Sequence, residues 1–428
     1  MNRYCFYPQY KPSKLDWLGG IPNQWATVAL HYVGRLKSGE SITALQFNED
    51  GEYPVYGGNG FRGNYDRFTH DGDYVLIGRQ GALCGNINIA KGKFFASEHA
   101  IVVNPDWVFD TNWMGYQLLT MNLNQYSVSA AQPGLSAEVI GRLKIAFPPL
   151  DEQQAIARFL DFKTSQIDAL IAKKQTLLAK LAEKRTALIS YTITKGLDPS
   201  VPMKDSGVAW LGEIPTHWKK MRIKHLLAAK KGAIKTGPFG SQLHSSEMMN
   251  SEVKVFNQKT VIEKNICSGE NYVSLEKFEE LKAFEVFKKD LLVTTRGTIG
   301  RCMEVPEHAE RGILHPCLMR LQLDATQITN RFMEILIGDS GIVLEQLRLK
   351  SNATTIEVVY SDSLKEVFVP LPSLLEQKSI TYFIDEKTVQ LDQQKAKLEQ
   401  VIDRLKEYRS ALITNAVTGK IDVREWHE

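Results

Sequence analysis

The segment from Glu152 to Asp198 occurs twice in this chain. Glu376 to Asp422 aligns with it at a constant offset of 224, without a gap, and roughly 19 of the 47 aligned positions are identical. A repeat of this kind fixes architecture before any residue-level reasoning. The identities include polar pairs (Asp161/Asp385, Lys163/Lys387, Thr164/Thr388, Asp168/Asp392, Arg185/Arg409) as well as Phe159/Phe383. Two unrelated core helices that share a hydrophobic stripe have no need of identity at polar positions. The chain therefore builds one kind of unit two times.

Both copies carry helix periodicity. Leu160, Ile167, Lys174, Leu181 and Leu188 are spaced by seven, and so are Ile384, Leu391, Leu398, Leu405 and Leu412. Ile156, Leu170 and Leu177 in the first copy, and Ile380 and Val401 in the second, are expected to fill the alternate seam. A seam that recurs every 3.5 residues or so needs a partner helix. About 33 residues make a helix of roughly 50 Å. The pattern predicts two long helices packed on each other as an antiparallel coiled coil, a spacer between two similar domains.

The duplication extends beyond the helices. Trp17-Leu-Gly-Gly-Ile-Pro-Asn-Gln-Trp25 returns as Trp210-Leu-Gly-Glu-Ile-Pro-Thr-His-Trp218, now at an offset of 193. Gly81 and His99 align with Gly297 and His315 at 216, and Thr111-Asn112 with Thr329-Asn330 at 218. The growing offset places about 31 extra residues in the second half, most of them before Gly297. Lys235-Thr-Gly-Pro-Phe-Gly-Ser-Gln-Leu243 has no visible counterpart in the first half. Helices that match without gaps beside globular parts that diverge suggest a shared frame carrying two different reading surfaces.

The globular parts read as β-rich with a few helices. Residues 74–77, 86–89 and 100–103 are short apolar runs bounded by Gly, Asp and Asn, and 291–294, 301–305 and 317–323 play the same part later. Residues 113–123 and 332–337 read as short helices. Phe147-Pro-Pro-Leu150 and Val369-Pro-Leu-Pro372 mark exits from a strand into a long helix. Lys195-Gly-Leu-Asp-Pro-Ser-Val-Pro202 reads as a linker. The expected fold class is α+β with an internal pseudo-twofold duplication. Its segments are a first globular domain at 1–150, a central helix at 151–197, a second globular domain at 198–372 and a C-terminal helix at 373–428.

Composition narrows the class further. The five cysteines are scattered at 5, 84, 267, 302 and 317, with no Cys/His spacing suited to zinc, so neither a disulfide framework nor a metal site is expected. The first residues lack a basic stretch followed by an apolar core, and no run of about 18 apolar residues exists. The expectation is a cytoplasmic protein. A net charge of +3 neither demands nor excludes nucleic acid, so charge placement matters more than its sum.

Taken together, these motifs resemble the DNA-specificity subunit of a type I restriction-modification enzyme. The resemblance covers essentially the whole chain. It rests on the two Trp-Leu-Gly-x-Ile-Pro-x-x-Trp segments and on Tyr56-Gly-Gly-Asn-Gly-Phe-Arg-Gly63 with Ile77-Gly-Arg-Gln-Gly81. Gly237-Pro-Phe-Gly-Ser-Gln-Leu243 with Thr295-Arg-Gly-Thr-Ile-Gly-Arg301, and the Pro-Pro-Leu-x-Glu-Gln lead into the repeated helix, complete it. One departure is Ser373, which stands where the lead-in has its second proline. The resemblance implies a non-catalytic, sequence-specific DNA-binding subunit with two target-recognition domains. It also implies two docked methyltransferase subunits and motor-nuclease subunits for restriction. S-adenosylmethionine, ATP and Mg would belong to those partner chains.

Several residues are candidates for DNA contact. Asn59 and Arg62 sit in a glycine-rich loop, and Asn pairs with adenine and Arg with guanine in the major groove. Gly58-Asn-Gly-Phe-Arg-Gly63 satisfies GxGxxG but is not followed by a helix opening, as a nucleotide-binding loop requires. Arg79, Gln80 and Arg296 lie in glycine-bounded turns after a strand, where forked guanidinium and amide groups suit bidentate contacts. The plain alternative is a solvated turn charge. Lys235, Gln242 and Arg301 are further candidates. His99 and His315 read as structural histidines. Lys163, Arg185, Lys387 and Arg409 are candidates for partner docking, because identical partners need similar surfaces on both halves. Asn104-Pro-Asp-Trp107 falls short of the tetrapeptide that grips a flipped adenine in amino-methyltransferases and reads as a turn.

The expected function is a DNA-recognition scaffold for an asymmetric bipartite target, with the helices setting the gap between half-sites. The alternatives are a self-contained adenine methyltransferase of unusual domain order, and a two-headed protein-interaction scaffold without sequence-dependent DNA binding.

Overall fold

The computed structural model describes all residues except 1–3, 16, 82, 128–133, 209–210, 250–251, 352–357 and 428. Trp210, which opens the second Trp-Leu-Gly motif, lies outside the described residues. The chain forms two compact units: Met1–Thr176 with Leu398–Glu428, and Leu177–Lys397. The two long helices, Leu150–Lys195 and Leu374–Val417, each begin in one unit and end in the other. The helices are thus not units by themselves, because their apolar faces are buried against the globular cores at both ends. Leu160 and Phe159 belong to the first core, and Ile189, Ile193, Ile380 and Ile384 to the second.

The helices run 46 and 44 residues, longer than the expected 33. They start directly after the proline-marked strand exits. Ser373 keeps the second start intact: its Oγ accepts from the Glu376 N–H at 3.3 Å, and its carbonyl accepts from Gln377 at 2.8 Å. Pro149 fills the same carbonyl role toward Gln153. Gly196 and Gly419, both with positive φ, close the C-terminal turns.

The helices pair antiparallel within each unit. In the first, Arg409 forks onto Asp168 at 2.9 and 3.2 Å. In the second, Arg185 lies 3.9 Å from Asp392. These four positions are the same two residues of the repeat, each copy supplying the partner of the other. Along the first helix Ile171, Lys174, Leu178, Leu181, Arg185 and Leu188 are half-buried, a 3-4 alternation. The alternate seam is therefore Ile171 and Leu178, with Ile402 in the second copy. The expected Leu170, Leu177 and Val401 are exposed instead. They sit one residue out of phase with the face that meets the partner helix.

Each globular part is built on the same sheets. In the first unit the strands Gly34–Ser38, Ala100–Pro105, Tyr74–Gly78 and Ile87–Ala90 lie side by side, antiparallel. The second unit repeats this order with Ile234–Thr236, Leu318–Leu321, Leu291–Thr294 and Cys302–Glu304. A second four-stranded sheet in each contains one parallel pair, Tyr53–Gly57 with Lys93–Ala96 and Val253–Phe256 with Gly312–Leu314. Short antiparallel pairs join the start and end of each globular part: Ala26–Ala29 with Lys144–Phe147, and Lys219–Arg222 with Phe368–Leu371.

Strand register and hydrogen-bond geometry correct three sequence equivalences. Ile101 faces Ser38 and Met319 faces Thr236, so Lys37-Ser-Gly39 is the counterpart of Lys235-Thr-Gly237, where none was expected. The Ser97 Oγ accepts from the His99 N–H, and the His315 Nδ1 accepts from Cys317 in the same way. His315 therefore matches Ser97, and His99 matches Cys317. Asp110 and Thr329 are the caps of the two short helices, which places Trp113 on Phe332, one residue away from the Thr111/Thr329 alignment. Hydrogen-bond geometry, not residue identity, is what the duplication retained here.

The Trp-Leu-Gly motif plugs the core beneath each long helix. Leu18, Ile21 and Trp25 are buried, as are Leu211, Ile214 and Trp218. Gly19 and Gly212 supply the positive φ between them. The indole of Trp25 donates to Glu152 at 2.7 Å, and that of Trp218 to Glu376 at 2.8 Å. Glu152 is buried and also receives the Tyr7 hydroxyl and the Gln24 amide. Trp25→Phe should cost about 1–3 kcal/mol, because a buried carboxylate loses a donor. Trp218→Phe should cost less, since Glu376 is partly solvated. Denaturant unfolding of the two variants checks the difference.

Candidate nucleic-acid interface

At one end of the four-stranded antiparallel sheet, strands give way to turns that carry most of the candidate residues. In the first unit, Tyr74–Gly78 runs into Arg79-Gln80-Gly81. The Arg79 N–H donates to His99, and Arg79 accepts from Leu135. Both contacts are main-chain, so the turn is fixed while the Gln80 side chain stays exposed and Arg79 half-buried. The second unit repeats this scaffold: Thr295 donates to Cys317 and accepts from Val359. The counterpart of Arg79 is thus Thr295, and Arg296 is the counterpart of Gln80. Gln80 and Arg296 also form matching isolated bridges, to Gly134 and Val358.

The glycine-rich stretch is a hairpin rather than a loop. Tyr53–Gly57 and Gly60–Tyr65 pair antiparallel, and Gly58-Asn59 makes the turn. A Cβ on Gly58 would meet the His99 and Gln80 carbonyls at 3.1 and 3.5 Å, so the hairpin turn packs close against the sheet end. Asn59 is exposed and accepts from the Asn86 amide at 3.0 Å. The structure thus brings Asn59, Arg79 and Gln80 together, with Asn86 alongside. Arg62 lies on the second strand of the hairpin, its guanidinium over the Phe47 ring. Phe61 beside it is exposed.

In the second unit the chain leaves the equivalent parallel strand differently. Asn257 caps the helix Gln258–Ile262, in place of the hairpin turn. Gln258 occupies the position of Gly58 and donates its amide to the Arg296 carbonyl. Gln258 is signalled in the sequence only by the Asn-x-x-Thr cap at Asn257 and Thr260, which is faint because the helix is short. Arg296 is exposed. Arg301 is exposed, and its N–H is held by the Thr294 hydroxyl at 2.9 Å. Lys235 is half-buried with its ammonium over Phe284, and the Gln242 amide oxygen accepts from Phe239 within its own loop. Gln242 thus shapes the loop from Gly237 to Leu243. Phe239 at its tip is exposed.

The His315 ring is structural, while His99 serves the scaffold through its main chain and leaves its ring partly exposed beside Glu98. Burial pulls His315 below the ordinary imidazole range, which suits the neutral ring that accepts from Cys317. Asn104 lies at a strand end, its amide 3.3 Å from the Val102 carbonyl, as a turn residue would. Among the described residues, no group of three His, Cys, Asp or Glu side chains is placed to hold a metal ion. No helix among them is long and apolar enough to cross a membrane.

The residues suggested for partner docking lie on the helical frame. Arg185 and Arg409 face Asp392 and Asp168, so their guanidinium groups serve helix pairing first. Lys163 reaches over Phe162 and Trp426, and Lys387 over Phe383. Two other repeated residues anchor the globular parts. Asp161 accepts from Asn112 and Tyr116 at 2.9 and 2.8 Å, and Asp385 from Arg331. Gln153 and Gln377 each clamp the N-terminus of a short helix, at Asp110 and Thr329, while donating to the proline lead-in.

Comparison with known proteins follows the same division. The sequence pattern of the type I restriction modification DNA specificity domain matches residues 22–181 and 215–403. The EcoprrI specificity subunit of Escherichia coli is 44% identical over 131 residues, 30% of this chain and 33% of that protein. A putative type I restriction enzyme specificity subunit of Haemophilus influenzae is 25% identical over 343 residues, covering 78% of this chain and 80% of that one. Among solved structures, a chain from work on complex assembly and conformational transition of the type I R-M system superposes with a TM-score of 0.69. It is 14% identical, and the match covers 93% of this chain and 98% of that one.

Gly39 and Gly237 occupy equivalent places at this sheet end. A Cβ on either would come within 2.1 Å of a main-chain carbonyl, that of Ala96 or His315. Gly39→Ala and Gly237→Ala should each destabilise their own unit by about 1–3 kcal/mol, because backbone rather than a flexible side chain must move. Hydrogen exchange resolved by unit checks that the loss is local.

Proposed function

The chain belongs to the type I restriction-modification DNA specificity family, and we propose that it reads the DNA target of such an enzyme, one half-site with each β-rich unit. The observation that carries this reading is a repeated frame with different sheet ends. The same turn presents Gln80 in one unit and Arg296 in the other. The neighbouring position is a bare glycine turn at Gly58 in one, and the amide of Gln258 in the other. Different amide and guanidinium groups on one scaffold suit two different base sequences. The target is therefore asymmetric and bipartite.

The chain acts without catalysis of its own. Its GxGxxG stretch is a β-hairpin, which lacks the strand, loop and helix that seat a nucleotide. Methyl transfer from S-adenosylmethionine belongs to two modification subunits docked on the helical frame, and ATP- and Mg-dependent translocation and cleavage to restriction subunits. Among the described residues nothing favours the self-contained methyltransferase reading. The assembly works on cellular DNA in the cytoplasm.

Mapping methylated adenines in cells that carry this chain and its partner subunits tests the assignment. A bipartite motif that disappears when this gene is removed is the expected result; methylation that persists unchanged would overturn it. The same mapping separates the two units. Arg79→Ala should relax one half-site only and Arg296→Ala the other, at about 1–3 kcal/mol each. Uniform weakening on all DNA, with a smaller salt slope, would assign them to phosphates instead.

Helix length sets the unread gap. Four residues inserted between Lys174 and Leu181 add about 6 Å and slightly more than one turn, so the seam stays nearly in register. The gap should lengthen by about one or two base pairs, since DNA rises about 3.4 Å per base pair along each strand. Two inserted residues rotate the seam by roughly 200° and should damage assembly. An unchanged gap at full occupancy in the four-residue variant would refute the ruler.

A further inference from the structure

Asn86 stands just before the edge strand Ile87–Ala90, at the sheet end that carries Gln80. It has an equivalent in the second unit. The Gly78 N–H donates to the Asn86 carbonyl at 2.8 Å, and the Thr294 N–H to the Arg301 carbonyl at 2.9 Å. One residue earlier, the Gly85 and Gly300 N–H groups return bonds to the Gly78 and Thr294 carbonyls, and both glycines have positive φ. Asn86 and Arg301 are therefore the same position of the scaffold. The backbone is retained and the side chain is exchanged, an amide for a guanidinium, as at Gln80 and Arg296.

The side-chain amide of Asn86 donates to Asn59 Oδ1 at 3.0 Å. The hairpin turn that carries Asn59 has other supports. Gly58 packs against the His99 and Gln80 carbonyls, and a Cβ on Gly60 would come within 2.8 Å of Asn88 Oδ1. The glycines on both sides of Asn59 thus seat the turn on the sheet end. What the bond to Asn86 adds is the orientation of the Asn59 amide, because a half-turn of a primary amide exchanges its oxygen and its nitrogen. With Oδ1 held toward Asn86, the exposed Asn59 keeps one lone pair of that oxygen and both Nδ2 hydrogens, and among the described residues these have no partner. A donor beside an acceptor complements the major-groove edge of adenine, which offers the N7 acceptor and an N6–H donor. Guanine offers two acceptors there and gives the oxygen nothing.

We infer that Asn86 is a specificity-determining residue of the first unit: it orients the Asn59 amide to read one adenine of the half-site. Asn59 is the residue that touches the base, and Asn86 is its positioning residue. The second unit has no such pair. Gln258, at the Gly58 position, donates to the Arg296 carbonyl, and the Arg301 side chain has no hydrogen-bond partner among the described residues. The effect of Asn86 therefore belongs to one half-site only. The inference deepens the specificity reading and rests on it for double-stranded DNA as the ligand.

The test uses the full chain in complex with its modification subunits, selecting from a duplex library randomised across both half-sites. Asn59→Ala should lose about tenfold in preference for adenine at one position of the first half-site. Asn86→Asp keeps the size but can only accept, so the Asn59 amide turns its nitrogen to the new carboxylate. Oxygens then face the base, and the adenine-to-cytosine ratio at that same position should fall about tenfold, because cytosine N4 donates to them. Asn86→Gln keeps a donor and should hold the ratio within about threefold of the unaltered chain. Preferences across the second half-site should stay unchanged in every variant, which also shows that each folds and assembles. An unchanged ratio in Asn86→Asp, an effect at a different position from that of Asn59→Ala, or equal losses in Asn86→Asp and Asn86→Gln would each overturn the inference. So would faster hydrogen exchange throughout the hairpin in Asn86→Asp, since the bond would then hold the turn rather than the amide. An unaltered complex that selects no sequence at all would instead overturn the specificity reading, and the inference with it.

Discussion

A carboxylate in the first turn of each long helix, held by a buried indole, is the contact on which the rest of the structure depends. Glu152 takes the Trp25 indole, and Glu376 that of Trp218. The position is favourable for two reasons. The unsatisfied N–H groups of a helix start favour negative charge, and the charged-neutral hydrogen bond is stronger than a neutral pair. The next residue, Gln153 or Gln377, turns the other way and clamps a short helix of the globular part. One dipeptide thus ties the Trp-Leu-Gly motif, the long helix and the sheet-covering helix together. Its repetition at an unchanged offset is what keeps the two frames alike while their surroundings diverge.

The second constraint is reciprocal. Asp168 pairs with Arg409, and Asp392 with Arg185. Each copy of the repeat supplies one acid and one base, and neither pair closes within a single copy. Exposed pairs of this kind contribute little stability individually. Their value is register, because a slip by one heptad would leave Asp168 opposite Ile402 or Ala416 and Asp392 opposite Leu178 or Thr192. A duplicated sequence satisfies both contacts with one set of residues, so the polar identities of the repeat follow from antiparallel pairing. Arginine suits the part better than lysine, because its planar fork meets a carboxylate on two bonds.

Against this frame the sheet ends vary cheaply. Main-chain hydrogen bonds hold the turns at Arg79-Gln80 and Thr295-Arg296, so the exposed Gln80 and Arg296 side chains are not needed to hold them. The connection after the parallel strand is likewise loosely constrained: a glycine hairpin in one unit and a capped helix in the other both return the chain to the same sheet. Substitution at Gln80, Arg296, Asn59 or Gln258 changes the surface without changing the core. A recognition scaffold benefits from that separation.

The sequence alone determined the duplication, the two long helices, their antiparallel seam and the β-rich class of the globular parts. These rest on periodicity and identity, which are local and additive along the chain. The strands at 74–77, 100–103 and 291–294 were legible for the same reason, as apolar runs between turn residues. Only the tertiary structure decided which faces of the helices meet, because Leu170 and Ile171 are equally apolar and the partner chooses between them. It also decided the true equivalences. His315 and Ser97 share a hydrogen-bonding role that residue identity conceals, and Lys235-Thr-Gly237 found its counterpart at Lys37-Ser-Gly39 only through strand register. The candidate site was half legible. Arg79, Gln80 and Arg296 stood out as charged or amide residues in glycine-bounded turns. Gln258 did not, because its role depends on a carbonyl 38 residues away. Hydrogen bonding and packing across sequence distance are what a linear pattern does not encode.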